Sequence, residues 1–304
     1  MTSLVEIYRR FPTEQDCLDH IAQVRWPDGP LCPYCGAERT ARHSENDRRD
    51  RFQCQRCTRS FSATVGTIFH RTHVDLQRWF LLIALMLSAK KGLSSAQAAR
   101  DLDLRQPTVW SMMHRIRKAM DDQGPLLAGL VEMDEAYLGG KRRRANSIDD
   151  DRPGPRGPTG KTPVVGAVER GGRAKIKAVE RSQLDTDGLR LLVRAMVDCP
   201  RAILTTDEYA GYNGLNAIVT HRRINHSRRY VDQDLFSGQF GPVHTNTIEG
   251  VWAILKRAII GQYHWVSSRY LPLYLNEIAY RYNLRREDDA FTTTLHHVLK
   301  PSTV

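Results

Sequence analysis

Three carboxylates far apart along the 304-residue chain, Asp134, Asp207 and Glu249, each stand at the edge of an apolar segment. Oxygen donors in a pair or triple hold hard divalent cations such as Mg²⁺ or Mn²⁺. Two such ions about 3.5 to 4 Å apart suit an in-line displacement at a phosphodiester. Lys256 lies seven residues beyond Glu249, two turns along one helical face, where it can meet a phosphate. Asn246, one turn before Glu249, is the other candidate for the third position. A structural alternative stands beside the catalytic one: Asn246-Thr247-Ile248-Glu249 also reads as a capping box, with Asn246 capping a helix and Glu249 reaching back. Glu135 and Glu208, which adjoin the two aspartates, read as solvated strand-edge groups.

A second constellation uses soft donors. Cys32 and Cys35 form one CxxC pair and Cys54 and Cys57 another, with eighteen residues between the pairs. Each CxxC bend puts two thiolates on one side of a tight turn, and two bends close a tetrahedral S4 site around zinc. Pro33 and Gly36 suit the first bend, one presetting φ and the other permitting the unusual one. Two redox CxxC motifs are the alternative, but such motifs seldom come as a matched pair at ribbon spacing. The zinc is expected to be structural, since so short a module buries too little apolar surface to fold alone. His43 could compete as a ligand, although four thiolates already fill the shell. Cys17 and Cys199 stand alone, so the cysteines are no disulfide framework and fit a reducing cytoplasm.

Charge narrows the substrate. Lys and Arg number 45 against 34 acidic residues, a balance of +11, and the excess gathers at Arg48 to Arg59, Lys141 to Arg144 and Arg222 to Arg229. Clustered cations favour a polyanion through counterion release. A single cluster reads equally well as solvated surface; three beside the motifs below point to double-stranded DNA. The N-terminus lacks the pattern of a signal peptide, and the longest apolar run, Trp79 to Ser88, is far short of a membrane span. A membrane partner is therefore not expected, and the expected location is the cytoplasm, in association with the nucleoid.

The elements that must position these groups follow from periodicity. Leu76 to Ser88 is apolar all round, as a buried supporting helix is, and Gly92 suits its C-terminal end. Ser94 or Ser95 caps a short helix through Arg100, and a second helix runs from about Pro107 to Met120. Val109, Met113, Ile116 and Met120 form its buried stripe, leaving Thr108, Ser111, Arg115 and Lys118 to face DNA as a recognition helix would. Any small helical bundle has similar spacing, which is the plain alternative. Strands are expected near 130 to 140, 163 to 169 and 175 to 180, then a helix at 187 to 197 and a strand at 201 to 205 that delivers Asp207. A basic strand at 221 to 225 and a helix opening at Asn246 complete the pattern. Three antiparallel strands, a helix, a parallel strand and further helices is the order of an RNase H-like fold. The expected organisation is multidomain α+β. It comprises an N-terminal helical segment (1–30), a zinc ribbon (31–62), a helix-turn-helix domain (70–122), an RNase H-like α/β catalytic domain (128–290) and a C-terminal tail (291–304). Within the catalytic domain, 141–161 reads as a basic Pro/Gly-rich insertion whose Arg142, Arg143 and Arg144 are candidate DNA contacts, as is Lys256.

Several segments in one order resemble a known family. CPYCG with CQRC, FSATVGTIFH (61–70), VEMDEAYLGGK (131–141), VVGAVER (164–170), TTDEYAGY (205–212), HTNTIEGVWAILKR (244–257) and YLNEIAYRYNLR (274–285) are similar to those of DDE-type insertion-sequence transposases. The likeness is to the bacterial group with an N-terminal zinc ribbon, related to eukaryotic Merlin elements, and it spans nearly the whole chain. It implies Asp134 and Asp207 as the first two metal ligands, a third on Glu249 or Asn246, and Lys256 as the lysine that follows the triad. The implied activity is binding of terminal inverted repeats, metal-dependent cleavage, and strand transfer into target DNA. Joining two ends implies a homo-oligomer on DNA. Trp252, Tyr263, His264 and Trp265 are candidates to stack on unpaired bases, with core packing the expected role for Trp252. Two competing readings are a non-catalytic zinc-ribbon and helix-turn-helix regulator derived from a transposase, and a nuclease that stops after hydrolysis.

Overall fold

The computed structural model describes residues 3–45, 49–121, 124–139, 160–224 and 244–299. The basic segment with Arg142, Arg143 and Arg144 lies outside them. The chain divides into two compact units, residues 1–120 with 286 onward, and residues 121–285.

The first unit opens with α1 (Leu4–Arg10) and α2 (Glu14–Arg25), the latter started by a full capping box between Thr13 and Asp16. A three-stranded antiparallel sheet follows, in the order β1 (Thr40–Glu45), β2 (Arg49–Cys54), β3 (Ser60–Ser62). Phe52 and Phe61, paired across β2 and β3, stack at 5.7 Å, and Trp26 meets both edge-on. That aromatic knot is the ribbon's small apolar core. Then come α3 (Leu76–Ser88), α4 (Ser95–Asp101) and α5 (Gln106–Ala119). Trp79, Phe80, Leu82, Ile83 and Met86 of α3 are buried, as an all-apolar helix requires. Gly92 does not cap α3, which ends at Ala89; it makes the next turn at φ +96°. Ser94 caps α4 by accepting from the Gln97 N–H, and Asp103 takes a left-handed φ of +51° between α4 and α5.

The second unit is built on a five-stranded mixed sheet in the order β6-β5-β4-β7-β8. Its strands are β4 (Leu127–Leu138), β5 (Thr162–Glu169), β6 (Ala174–Ala178), β7 (Val197–Thr206) and β8 (Thr220–Arg223). The first three are antiparallel; β7 and β8 run parallel to β4. The crossover from β6 to β7 is α6 (Thr186–Met196), whose Leu189, Val193 and Met196 pack on the face bearing Val131, Met133 and Leu204. The opposite face, with Ala136, Val164 and Val168, is covered by α7 (Asn246–Lys256) and α8 (Leu271–Asn283). Burial on both faces explains why β5 is almost uniformly apolar instead of alternating.

The expected tail at 291–304 is instead structural in its described part. Residues Ala290–Val298 form α9, and Phe291, Leu295, Val298 and Leu299 are all buried. Phe291 packs on Phe80 of α3 and Phe11 at about 6 Å, so the chain returns to close the core of its own N-terminal unit. Among the described residues no helix is long and apolar enough to cross a membrane.

Candidate metal centres

In the first unit the four expected cysteines meet. The sulfurs of Cys32, Cys35, Cys54 and Cys57 all lie within 4.8 Å of one another, with Cys32 to Cys57 and Cys35 to Cys54 each at 3.6 Å. The two bends share one geometry. The Gly36 N–H donates to the Cys32 carbonyl at 2.9 Å, and the Thr58 N–H to the Cys54 carbonyl at 3.0 Å. Both fifth positions are left-handed, Gly36 at φ +69° and Thr58 at φ +58°. The N–H groups of Cys57 and Arg56, each 3.4 Å from the Cys54 sulfur, pull that thiol down to about 6. Four convergent thiols with backbone donors at one sulfur fit a zinc ion. His43 lies on β1.

In the second unit, β4 and β7 bring the first two carboxylates together by register. Glu132 stands beside Thr205 in the parallel ladder, so two residues on, Asp134 within β4 and Asp207 just past the end of β7 come side by side. Carboxylate oxygens of Asp134, Asp207 and also Glu135 lie within 4.8 Å of one another. Asp134 lies on the face covered by α7, where the buried indole of Trp252 donates to its Oδ2 at 2.8 Å. Room for that ring comes from Gly166, opposite Asp134 on β5: a Cβ there would sit 2.5 Å from the Trp252 ring. Glu135 takes a 2.7 Å hydrogen bond from the buried Tyr212 hydroxyl. Burial, more than the neighbouring charges of Asp207 and Glu249, pushes Asp134 up to about 6. Burial likewise raises Glu135 to about 7, with Asp134 and Asp207 adding to it. Crowded, half-buried carboxylates held above their ordinary range are what a divalent cation relieves, and an all-oxygen donor set suits a hard one.

Glu135 therefore stands in the group that the sequence reading reserved for Glu249. Alternation puts it on the other face of β4 from Asp134, yet its carboxylate lies with those of Asp134 and Asp207. Glu249 is exposed on the first turn of α7 and lines the same hollow, of about 630 Å³, with Asp134, Glu135, Lys161 and Lys256. Asn246 is exposed at the start of α7 and Glu208 is exposed beside Asp207.

The capping box that stood as the structural alternative for Asn246 and Glu249 does not form. The N-cap of α7 is Thr245, with no side-chain cap from the helix's own sequence. The cap comes instead from Glu132, fully buried on β4 and missed by the sequence reading. Its carboxylate accepts from the Thr247 N–H (2.8 Å), the Ile248 N–H (3.0 Å) and the Thr247 hydroxyl (2.9 Å), and pairs with Arg170 at 2.7 Å. One acidic group thus satisfies orphan helix donors and a cation together, and pins the helix bearing Glu249 and Lys256 to the strand bearing Asp134.

On α5, Ser111 and Lys118 are exposed and Thr108 is half-buried. Arg115 is bound within its own unit. Its guanidinium donates to the His70 carbonyl at 2.8 Å and lies 5.3 Å from the Trp79 ring centre.

Comparison with known proteins gives two matches to family profiles, the ISXO2-like transposase domain over residues 126–283 and the transposase zinc-ribbon domain over residues 12–60. The chain is 28% identical over 292 residues to a protein in transposable element ISH50 of Halobacterium salinarum, covering 92% of each. Among solved structures it is similar to a chain of the simian T-cell lymphotropic virus intasome bound to a PP2A regulatory subunit (11% identity, 57% of each chain, TM-score 0.27). It is also similar to one of a pre-cleavage Mos1 transpososome (14% identity, 70% of this chain and 76% of that one, TM-score 0.24).

Proposed function

This chain belongs to the ISXO2-like transposase family, and we propose that it cuts the ends of an insertion sequence and joins them to target DNA. The carrying observation is the meeting of Asp134, Glu135 and Asp207 within 4.8 Å on a mixed sheet, beside a hollow that Asp134 and Glu135 line together with Glu249 and Lys256. We read that sheet, in the order β6-β5-β4-β7-β8, as RNase H-like.

Asp134 and Asp207 would hold Mg²⁺ or Mn²⁺, with Glu249 as the third carboxylate and Glu135 beside them. Bound there, the ions would supply charge neutralisation at phosphorus and a lowered pKa for the attacking oxygen. The chain's own residues do the rest. Trp252 fixes the Asp134 carboxylate, Tyr212 fixes Glu135, and Lys256 and Lys161 offer cations to the phosphates on either side. In the first reaction a water oxygen bonds to phosphorus and the 3′ oxygen leaves, giving a 3′-OH and a 5′-phosphate. In the second, that 3′-OH loses its proton and bonds to a target phosphorus, whose own bridging oxygen leaves. Both are in-line displacements, so one site serves both by exchanging the nucleophile. The zinc ribbon and the α4–α5 pair would recognise the terminal repeats, with Ser111 and Lys118 as exposed contacts on α5. Two ends must be joined, which calls for a homo-oligomer on DNA.

Asp134→Asn tests this. With a labelled element end and Mg²⁺, cleavage and joining are expected to fall at least about a thousandfold, the loss that follows several kcal/mol of missing transition-state stabilisation. Retardation of the same DNA is expected to change less than about twofold, since D134N lies in the other unit from the DNA-reading elements. Cutting by the variant at the wild-type rate overturns the assignment. With the wild-type protein, cleavage without joining points to a nuclease, and retarded but intact DNA to a regulator.

A further inference from the structure

A second hollow, of about 530 Å³, adjoins the acidic one and shares Tyr137, Lys161 and Lys256 with it. Its remaining wall is largely apolar, with Ile259, Ile260, Val266 and Leu271, and it is closed by His264 and Trp265. Three local departures from regular structure converge there. The helix that carries Glu249 and Lys256 runs into a π-helical turn at Arg257–Gln262, a rare form that is frequent at functional sites. His264 takes φ +59°, a left-handed turn position that histidine adopts more readily than most side chains and that ends the helical run. Trp265 and Ile260 are left 65% and 66% exposed, an apolar pair facing water beside a charged site. The segment is nevertheless anchored. Tyr263 packs edge-on against Tyr274 at 4.7 Å, and its hydroxyl donates to the buried Glu277 at 3.3 Å. The indole is presented on a fixed support.

We propose that this hollow seats an unpaired nucleobase of the DNA strand whose phosphate occupies the acidic hollow, with Trp265 as its stacking surface. The inference rests on the reading that the acidic hollow acts on DNA. A nucleotide joins a flat ring with apolar faces to an anionic link. The hollow joins an exposed aromatic face to two cations, Lys161 and Lys256, on the rim it shares with the carboxylates. A second copy of the chain or an apolar peptide would match the wall and leave those cations without a counterpart. Every base has a π face, so the seat would accept any base and need not read sequence.

The test uses two duplexes that differ at one unpaired overhang nucleotide, 2-aminopurine in one and an abasic site in the other. Ca²⁺ replaces Mg²⁺ so that the DNA stays intact, and the full-length protein is used throughout. Wild type is expected to bind the base-bearing duplex roughly tenfold more tightly and to quench its emission, as one stacked base implies. Trp265→Ala is expected to abolish both effects, and Trp265→Phe to keep most of the preference. An unchanged unfolding temperature shows that the exposed residue was not holding the fold. Equal affinity of wild type for the two duplexes, or a preference that survives W265A, overturns the seat. Self-association lost in W265A without any base preference also overturns it, in favour of a second copy. Cleavage of labelled ends in Mg²⁺ is scored in parallel. Cleavage with no base preference removes the seat alone; base preference with no cleavage upholds the seat and removes the catalytic reading.

Discussion

Single side chains in the second unit carry opposite electrostatic burdens within a short span of sheet. Asp134 and Glu135 are raised by burial, while His221 on β8 is pushed down to about 4, by burial first and by the Arg223 charge second. His221 stays neutral against the Thr206 hydroxyl, 2.9 Å from its Nε2 and one residue before Asp207. Its folded pKa lies below the ordinary 6.5, so the unfolded chain binds the extra proton between those values. The stability it contributes is therefore complete above pH 6.5 and is lost as pH falls towards 4. His221→Gln is expected to flatten that fall: between pH 7 and 5, with chelator present, wild type should lose more of its unfolding temperature than the variant. Equal losses would remove His221 as the cause. The histidine's neutrality was not legible in HRR, because sequence shows three basic letters and the burial that discharges one of them comes from the sheet.

At the scale of elements, two short constructions decide whether the sites exist. The ribbon depends on its two bends. Cys54→Ser is expected to abolish stoichiometric zinc and to unfold β1 to β3, because structural zinc contributes about 10–16 kcal/mol to modules of this size. Full zinc content in the variant, measured on the purified protein, would contradict the four-thiolate site. The acidic site depends on α7 being held by Glu132. Removing that carboxylate as Glu132→Ala breaks the buried ion pair with Arg170 and leaves the first turn of α7 uncapped, a loss of about 3–5 kcal/mol. Denaturant unfolding should show that loss. Glu132→Gln, which keeps an acceptor, is expected to lose less, and a silent alanine variant would refute the cap. The cysteine spacing announced the ribbon at once, since four identical rare ligands have one economical arrangement. Glu132 announced nothing: its partners Thr247, Ile248 and Arg170 lie over a hundred and nearly forty residues away.

For the whole molecule, the main consequence lies at the far end of the chain. α9 belongs to the N-terminal unit although the entire second unit intervenes. Phe291→Ala is expected to cost that unit about 3–5 kcal/mol, as emptying a buried aromatic site does, and to leave the 121–285 unit unchanged. Two-probe unfolding separates the units. A change below about 0.5 kcal/mol, typical of an exposed tail, would contradict the packing. The same closure means that a chain ended at Arg285 should lose the fold of its first unit before that of its second.

Local pattern determined much of this protein. Helix boundaries at Leu76–Ser88, the strand that delivers Asp207, the convergence of four cysteines and family membership were all readable, because periodicity, turn chemistry and ligand spacing are properties of neighbours along the chain. Tertiary structure alone decided which distant groups meet. Parallel register set Asp134 against Asp207, Glu135 joined them, Gly166 made space for the Trp252 hydrogen bond, and a strand carboxylate caps α7 in place of the alternative capping box. Such contacts are fixed by the free energy of packing whole faces together, and no window of residues contains that quantity.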